Sequence, residues 1–87
     1  MNIYIGNIPT DLDENEITEM FEEYGIVKST KIIKDRYTRK SRGFGFVVME
    51  NNDAAKKAIE DWDQGSIDDQ IIKVREAKLH HGNKGRN

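Results

Sequence analysis

The amino-acid sequence predicts an α+β fold in which one β-sheet is covered on one face by two helices. Three observations carry that expectation. Short runs rich in β-branched and aromatic residues are separated by two longer segments whose apolar residues recur at helical spacing. Taken in order, the segments read strand, helix, strand, strand, helix, strand. Finally, 87 residues with no cysteine must share one small apolar core, near the lower size at which a domain folds without a disulfide or metal.

The first strand spans Asn2 to Ile8, where Ile3 and Ile5 alternate with Asn2, Tyr4 and Gly6. Tyr4 therefore falls on the face away from the core. Asn7-Ile8-Pro9-Thr10 ends the strand, since Pro9 has no N–H to give to a ladder. Asp13 to Tyr24 predicts the first helix, with Asp13 and Glu16 as a capping pair and Gly25 as a left-handed stop. Its apolar face is Ile17, Met20, Phe21 and Tyr24, and its outer face is acidic through Glu19, Glu22 and Glu23.

Ile26 to Lys34 predicts the second strand, because Ile26, Val27, Thr30, Ile32 and Ile33 are all β-branched. A basic turn from Asp35 to Ser41 leads into the third, Arg42-Gly43-Phe44-Gly45-Phe46-Val47-Val48-Met49. Alternation places Arg42, Phe44, Phe46 and Val48 on one face of that strand and Gly43, Gly45, Val47 and Met49 on the other. Asn52 or Asp53 is expected to cap a second helix that ends at Trp62, with Ala55, Ala58, Ile59 and Trp62 facing the core and Gly65 beyond its end. Helical spacing makes Trp62 a core residue rather than a stacking one. Gln70 to Ala77 is the last strand, with Ile72 and Val74 inward and Lys73 and Arg75 outward. The chain then divides into one domain over residues 1–78 and a flexible basic tail over 79–87.

Two stretches carry more than fold. The third strand resembles the octapeptide signature of the RNA recognition motif (RRM) family: a base, Gly, an aromatic, Gly or Ala, Phe, Val, any residue and an aromatic. Seven of the eight places are met, and the exception is Met49 in the last. Ile3-Tyr4-Ile5-Gly6-Asn7-Ile8 is similar to the family's hexapeptide signature and stands about forty residues earlier, at the family's spacing. The resemblance covers residues 2 to 78. It implies the split βαβ, ferredoxin-like sandwich (βαββαβ), a four-stranded antiparallel sheet whose outer strands are the second and fourth. In many family members the basic turn carries a glycine where this chain has Arg39.

The resemblance also implies a site. Tyr4 and Phe46 correspond to the two principal base-stacking positions, Phe44 to the ring that packs against sugars between them, and Arg42 to a phosphate-pairing base. Lys31, Arg39, Lys40, Lys73, Arg75 and Lys78 extend a cationic rim that adds affinity without reading sequence. Backbone groups near Ala77 and Lys78 are where the family often reads base edges. The chain is close to the minimal single-RRM proteins of bacteria and to the RRM of glycine-rich RNA-binding proteins, though without their glycine-rich tail. Single-stranded RNA is the expected partner, and an RNA chaperone or post-transcriptional regulator the expected role.

Charge supports that partner locally rather than globally. The net charge is −2. From Lys28 to Arg42, however, seven bases face one acid, and from Lys73 to Asn87 five face one. Glycines 43 and 45 are expected to let the helical layer approach the third strand. Two other classes compete. A sheet face covered by a protein partner would also show exposed rings, but would have no need of Arg42. Single-stranded DNA stacks as RNA does and differs only at the 2′-hydroxyl. An enzyme is not expected: Gly43-Phe44-Gly45 opens like a dinucleotide-binding turn, yet Val48 stands where its third glycine belongs. Nor is a cofactor or metal, since His80 and His81 are adjacent and lack a third ligand. With no apolar run near the roughly 20 residues of a membrane helix, the expectation is a soluble monomer of the cytoplasm, or of the nucleus in a eukaryote.

Overall fold

The computed structural model describes residues 1–77. Its elements are β1 (Asn2–Gly6), α1 (Glu14–Glu22), β2 (Val27–Lys34), β3 (Ser41–Met49), α2 (Asn52–Trp62), β4 (Ser66–Ile67), β5 (Gln70–Ile71) and β6 (Lys73–Glu76). Four strands pair antiparallel in the order β2-β3-β1-β6, so the outer strands are those the resemblance implied. Ile3 and Ile5 of β1, Ile32 of β2, Val47 and Met49 of β3 and Val74 of β6 form one buried sheet face. Ile17 and Phe21 of α1 and Ala55 and Ala58 of α2 close over it, each fully buried. Each Ile, Val or Phe removed from water contributes about 1.5–3 kcal/mol, which is where so short a chain finds its stability. Among the described residues no helix is long and apolar enough to cross a membrane.

Local chemistry explains the helix ends, and corrects two expectations. Asp13 accepts from the Glu16 N–H at 2.8 Å while the Glu16 carboxylate accepts from the Asp13 N–H at 3.1 Å, the reciprocal box read from the sequence. α2, by contrast, is capped by Asn51, whose Oδ1 accepts from the Ala54 N–H at 2.8 Å; Asn52 and Asp53 already lie inside the helix. Gly25 is not in the left-handed region, which among the described glycines only Gly43 occupies. A Cβ on Gly25 would stand 2.9 Å from the Ala54 Cβ, so the glycine admits α2 rather than supplying a left-handed stop.

The expected last strand is divided. Gln70 and Ile71 pair with Ile67 and Ser66 in a separate hairpin, and only Lys73–Glu76 joins the main sheet. Asp68 and Asp69 both hold positive φ, 49° and 69°, as a two-residue hairpin turn of the right twist requires. Ile72 and Val74 are buried and Lys73 and Arg75 exposed, as their alternation predicts.

Both open edges of the main sheet are guarded. The Ile32 N–H of β2 donates to Glu14 Oε2 at 2.9 Å, and the Val74 N–H of β6 donates to Asp63 Oδ1 at 2.9 Å. A carboxylate brought by a helix thus occupies a donor that would otherwise template another strand. Tyr24 is half-buried, packing on the core while its hydroxyl donates to Asp61 at 3.0 Å. Trp62 packs on the core as expected, and its indole Nε1 is shielded from solvent with no acceptor among the described residues.

Candidate nucleic-acid interface

β3 and β1 lie side by side at the centre of the sheet, and their register decides what the open face displays. Tyr4 stands opposite Phe46, and Gly6 opposite Phe44. Residues directly opposite share a face, so all three rings gather on the side away from the helices. Their centroids lie 6.1 Å (Tyr4–Phe44), 5.9 Å (Tyr4–Phe46) and 6.3 Å (Phe44–Phe46) apart. Tyr4 and Phe44 are inclined by only 33°, whereas Phe46 stands edge-on to both, at 64° and 88°. Each ring is half-buried, leaving π surface to solvent.

Register also arranges the cations. Lys31 of β2 stands opposite Phe46 and Arg75 of β6 opposite Tyr4. One row across the sheet therefore reads Lys31, Phe46, Tyr4, Arg75, two aromatic rings between two cations. The next row toward the β2–β3 turn carries Phe44, Gly6 and Lys73. Beside it a depression of about 420 Å³ is lined by Tyr4, Asn7, Arg42, Gly43, Phe44 and Lys73. Lys31, Arg42, Lys73 and Arg75 are all exposed, and among the described residues none of them makes a salt bridge. A flat sheet with unpaired cations at both margins matches a stacked, phosphate-bearing ligand better than a small molecule enclosed in a cleft.

Arg39 and Lys40 lie off this face, in the β2–β3 turn. Asp35 organises that turn. Its Oδ1 accepts from the Tyr37 N–H at 2.8 Å and the Thr38 N–H at 3.0 Å, while its carbonyl accepts from the Arg39 N–H at 2.9 Å. Arg39 takes φ 64°, the left-handed conformation that glycine adopts most readily, at the position where the resemblance leads one to expect a glycine. The donated hydrogen bonds, that from Thr38 first and that from Tyr37 next, hold the Asp35 carboxyl below its ordinary 3.8. A depressed folded-state value stabilises the turn above 3.8 and ceases to as pH falls through the lower, folded value. Titration by NMR should accordingly place the Asp35 midpoint below 3.8, with the Tyr37 and Thr38 amides losing protection in the same step. A midpoint at or above 3.8 would mean the turn is not held by this side chain.

Several expected details change. Gly45 faces the helical side, but a Cβ there would collide with the Lys31 carbonyl and lie 3.0 Å from the Ile32 Cα. The neighbour that requires glycine is strand β2, not a helix. Gly43 holds φ +86°, a backbone reason rather than a packing one. The Ala77 N–H donates to the Asn2 carbonyl at 2.8 Å and so is not free to read a base. Lys78 and the tail over 79–87 lie outside the described residues.

Three residues bear on the site that the sequence reading passed over. Tyr37 is 87 % exposed in the basic turn, an aromatic set between Arg36 and Arg39. Asn7, at φ 56°, donates from Nδ2 to the Ile71 carbonyl at 2.7 Å and accepts from Gln70 Nε2 at 3.0 Å through its own carbonyl. It ties the β4–β5 hairpin to the end of β1. Gly6 is buried although it belongs to the open face. Among the described residues no cluster of three or more His, Asp or Glu is gathered as a metal would need.

Known proteins resemble the chain in the same parts. The chain is 37 % identical over 76 residues to the 28 kDa ribonucleoprotein, chloroplastic, of Spinacia oleracea, covering 87 % of this chain and 33 % of that one. It is 41 % identical over 76 residues to the 31 kDa ribonucleoprotein, chloroplastic, of Nicotiana sylvestris, covering 87 % and 24 %. It thus spans a third or less of the length of these curated relatives. A solved structure described as the crystal structure of RNA Binding Protein PG1 superposes with a TM-score of 0.88 at 40 % identity, covering 93 % of this chain and 98 % of that one. The family model for the RNA recognition motif matches residues 3–73, which take in both signature strands, both helices and the start of β6. With the sheet order, the two signatures and the match all in one register, the chain belongs to the RNA recognition motif family.

Proposed function

We propose that this chain binds short single-stranded RNA on the open face of its sheet. The observation that carries the proposal is the row Lys31, Phe46, Tyr4, Arg75, in which two rings are bracketed by cations that, among the described residues, no acid pairs with. Bases that lie on exposed rings contribute about 1–3 kcal/mol each, so three rings suit two or three nucleotides. Arg42 and Lys73 flank the depression beside Phe44, and a guanidinium's forked donors match phosphate oxygens. Lys31 and Arg75 flank the rings, Arg39 and Lys40 add positive charge from the β2–β3 turn, where Tyr37 adds a fourth ring, and Lys78, outside the described residues, is assigned to the rim on sequence alone. The names of the relatives, ribonucleoproteins and an RNA Binding Protein, agree with this reading. Residues 1–78 act as the binding unit, in our reading a monomer without catalysis, and 79–87 contribute positive charge. An RNA chaperone or a regulator after transcription fits so small a module. The chloroplast location of the curated relatives favours an organelle over the cytoplasm expected from the sequence.

The test is an NMR titration with a pool of short single-stranded RNAs at low and moderate salt, with matched DNA in parallel. Amide shifts gathered on residues 2–6, 42–48 and 73–77 support the sheet as the site. Shifts elsewhere, or none, would reject it and turn attention to a protein partner. Equal response to DNA would remove the preference for RNA. Lys40→Ala should weaken every sequence about equally and lower the slope of affinity against salt by about one. A changed base preference in that variant, measured by fluorescence anisotropy, would make Lys40 a reader instead.

A further inference from the structure

We propose that Gly6 is a positioning residue, present so that the ring of Tyr4 can lie down along β1. The inference rests on the reading of the sheet as an RNA site. Side chains of a strand lean along its direction, and residues two apart share a face. Tyr4 does lean this way. A Cβ on Gly6 would collide with the Tyr4 hydroxyl and stand 2.7 Å from its Cζ and 2.8 Å from its Cε2. Gly6 is buried for the same reason, covered by the ring two residues before it. Nothing in the backbone demands glycine here, because Gly6 is not among the residues with positive φ. Its cross-strand neighbours Phe44 and Lys73 send their own side chains to the same face, so position 6 is a gap between two filled ones.

The gap has a consequence for the ligand. With its ring laid over Gly6, Tyr4 inclines by 33° to Phe44, its partner in the adjoining row. The two make a shallow platform that spans both rows, with Phe46 upright beside it. Tyr4 itself lines the depression together with Arg42 and Lys73. Any side chain at position 6 forces the ring to rotate or lift, which changes the π surface offered to a base. It leaves the core untouched, since Gly6 faces away from the helices. Stability and binding should therefore separate.

Gly6→Ala should bind single-stranded RNA about tenfold more weakly, the loss of a good part of one stacked base, with an unchanged or higher melting temperature. In a Tyr4→Leu background the same substitution should have no further effect, because the group it displaces is gone. Wild-type affinity in Gly6→Ala, or an equal loss in both backgrounds, would overturn the proposal. A second readout needs no RNA. The Gly6 Hα signals should be shifted upfield by the ring above them and return to ordinary values in Tyr4→Leu. If wild type binds no RNA, the functional reading fails while this shift still decides the posture of Tyr4. An unshifted Gly6 Hα in wild type would overturn it.

Discussion

Replacing Phe46 with alanine is expected to weaken binding of short single-stranded RNA by about 1–3 kcal/mol, the value of one base on one ring. The fold should lose less than a core deletion costs, about 1–3 kcal/mol for the two edge-on contacts that Phe46 makes with Tyr4 and Phe44. Phe21→Ala should behave in the opposite sense. Its ring is fully buried beneath the sheet, and emptying such a site costs about 3–5 kcal/mol. For a domain of this size that is a large share of total stability, commonly about 5–15 kcal/mol. Urea unfolding and fluorescence anisotropy on the two variants test the division of labour. Comparable loss of stability in both would put Phe46 in the core and remove the platform.

That division was legible in the residues themselves, because alternation on a strand separates Phe44 and Phe46 from Val47 and Met49 before any partner strand is known. Helical spacing likewise assigned Phe21 and Trp62 to the core. What alternation cannot state is register, and register is what sets Lys31 beside Phe46 and Arg75 beside Tyr4. The cations were named from the sequence; their alignment with the rings was not. Two-residue strands such as Ser66–Ile67 and Gln70–Ile71 hold too few side chains to show a period, so their hairpin merged into the last strand. Asn51, Asn52 and Asp53 are all competent caps, and residue type alone does not choose among neighbours. The carboxylates at the sheet edges, Glu14 and Asp63, look like ordinary surface acids until the fold brings each to a strand N–H.

Gly45→Ala should destabilise the fold by about 3 kcal/mol, at the upper end of overpacking costs. The reason separates it from the other glycines of the two signatures. At Gly6 the obstacle is the end of a side chain, which can move aside. At Gly43 space is open, with the nearest atom, the Ile8 carbonyl oxygen, 3.6 Å away, and the constraint is φ +86°, which costs an L-residue about 1–2 kcal/mol. At Gly45 the obstacle is the backbone of β2 at Lys31 and Ile32, which cannot rotate out of the way. Relief requires β2 to shift, and β2 holds Lys31 in the row with Phe46 and bonds through Ile32 to Glu14. Stability should therefore fall in the order Gly6→Ala, Gly43→Ala, Gly45→Ala, while RNA affinity falls at Gly6 and Gly45 for different causes. Urea midpoints for the three variants measure that order directly. A Gly45→Ala protein as stable as wild type would mean that β2 does not press on β3 there.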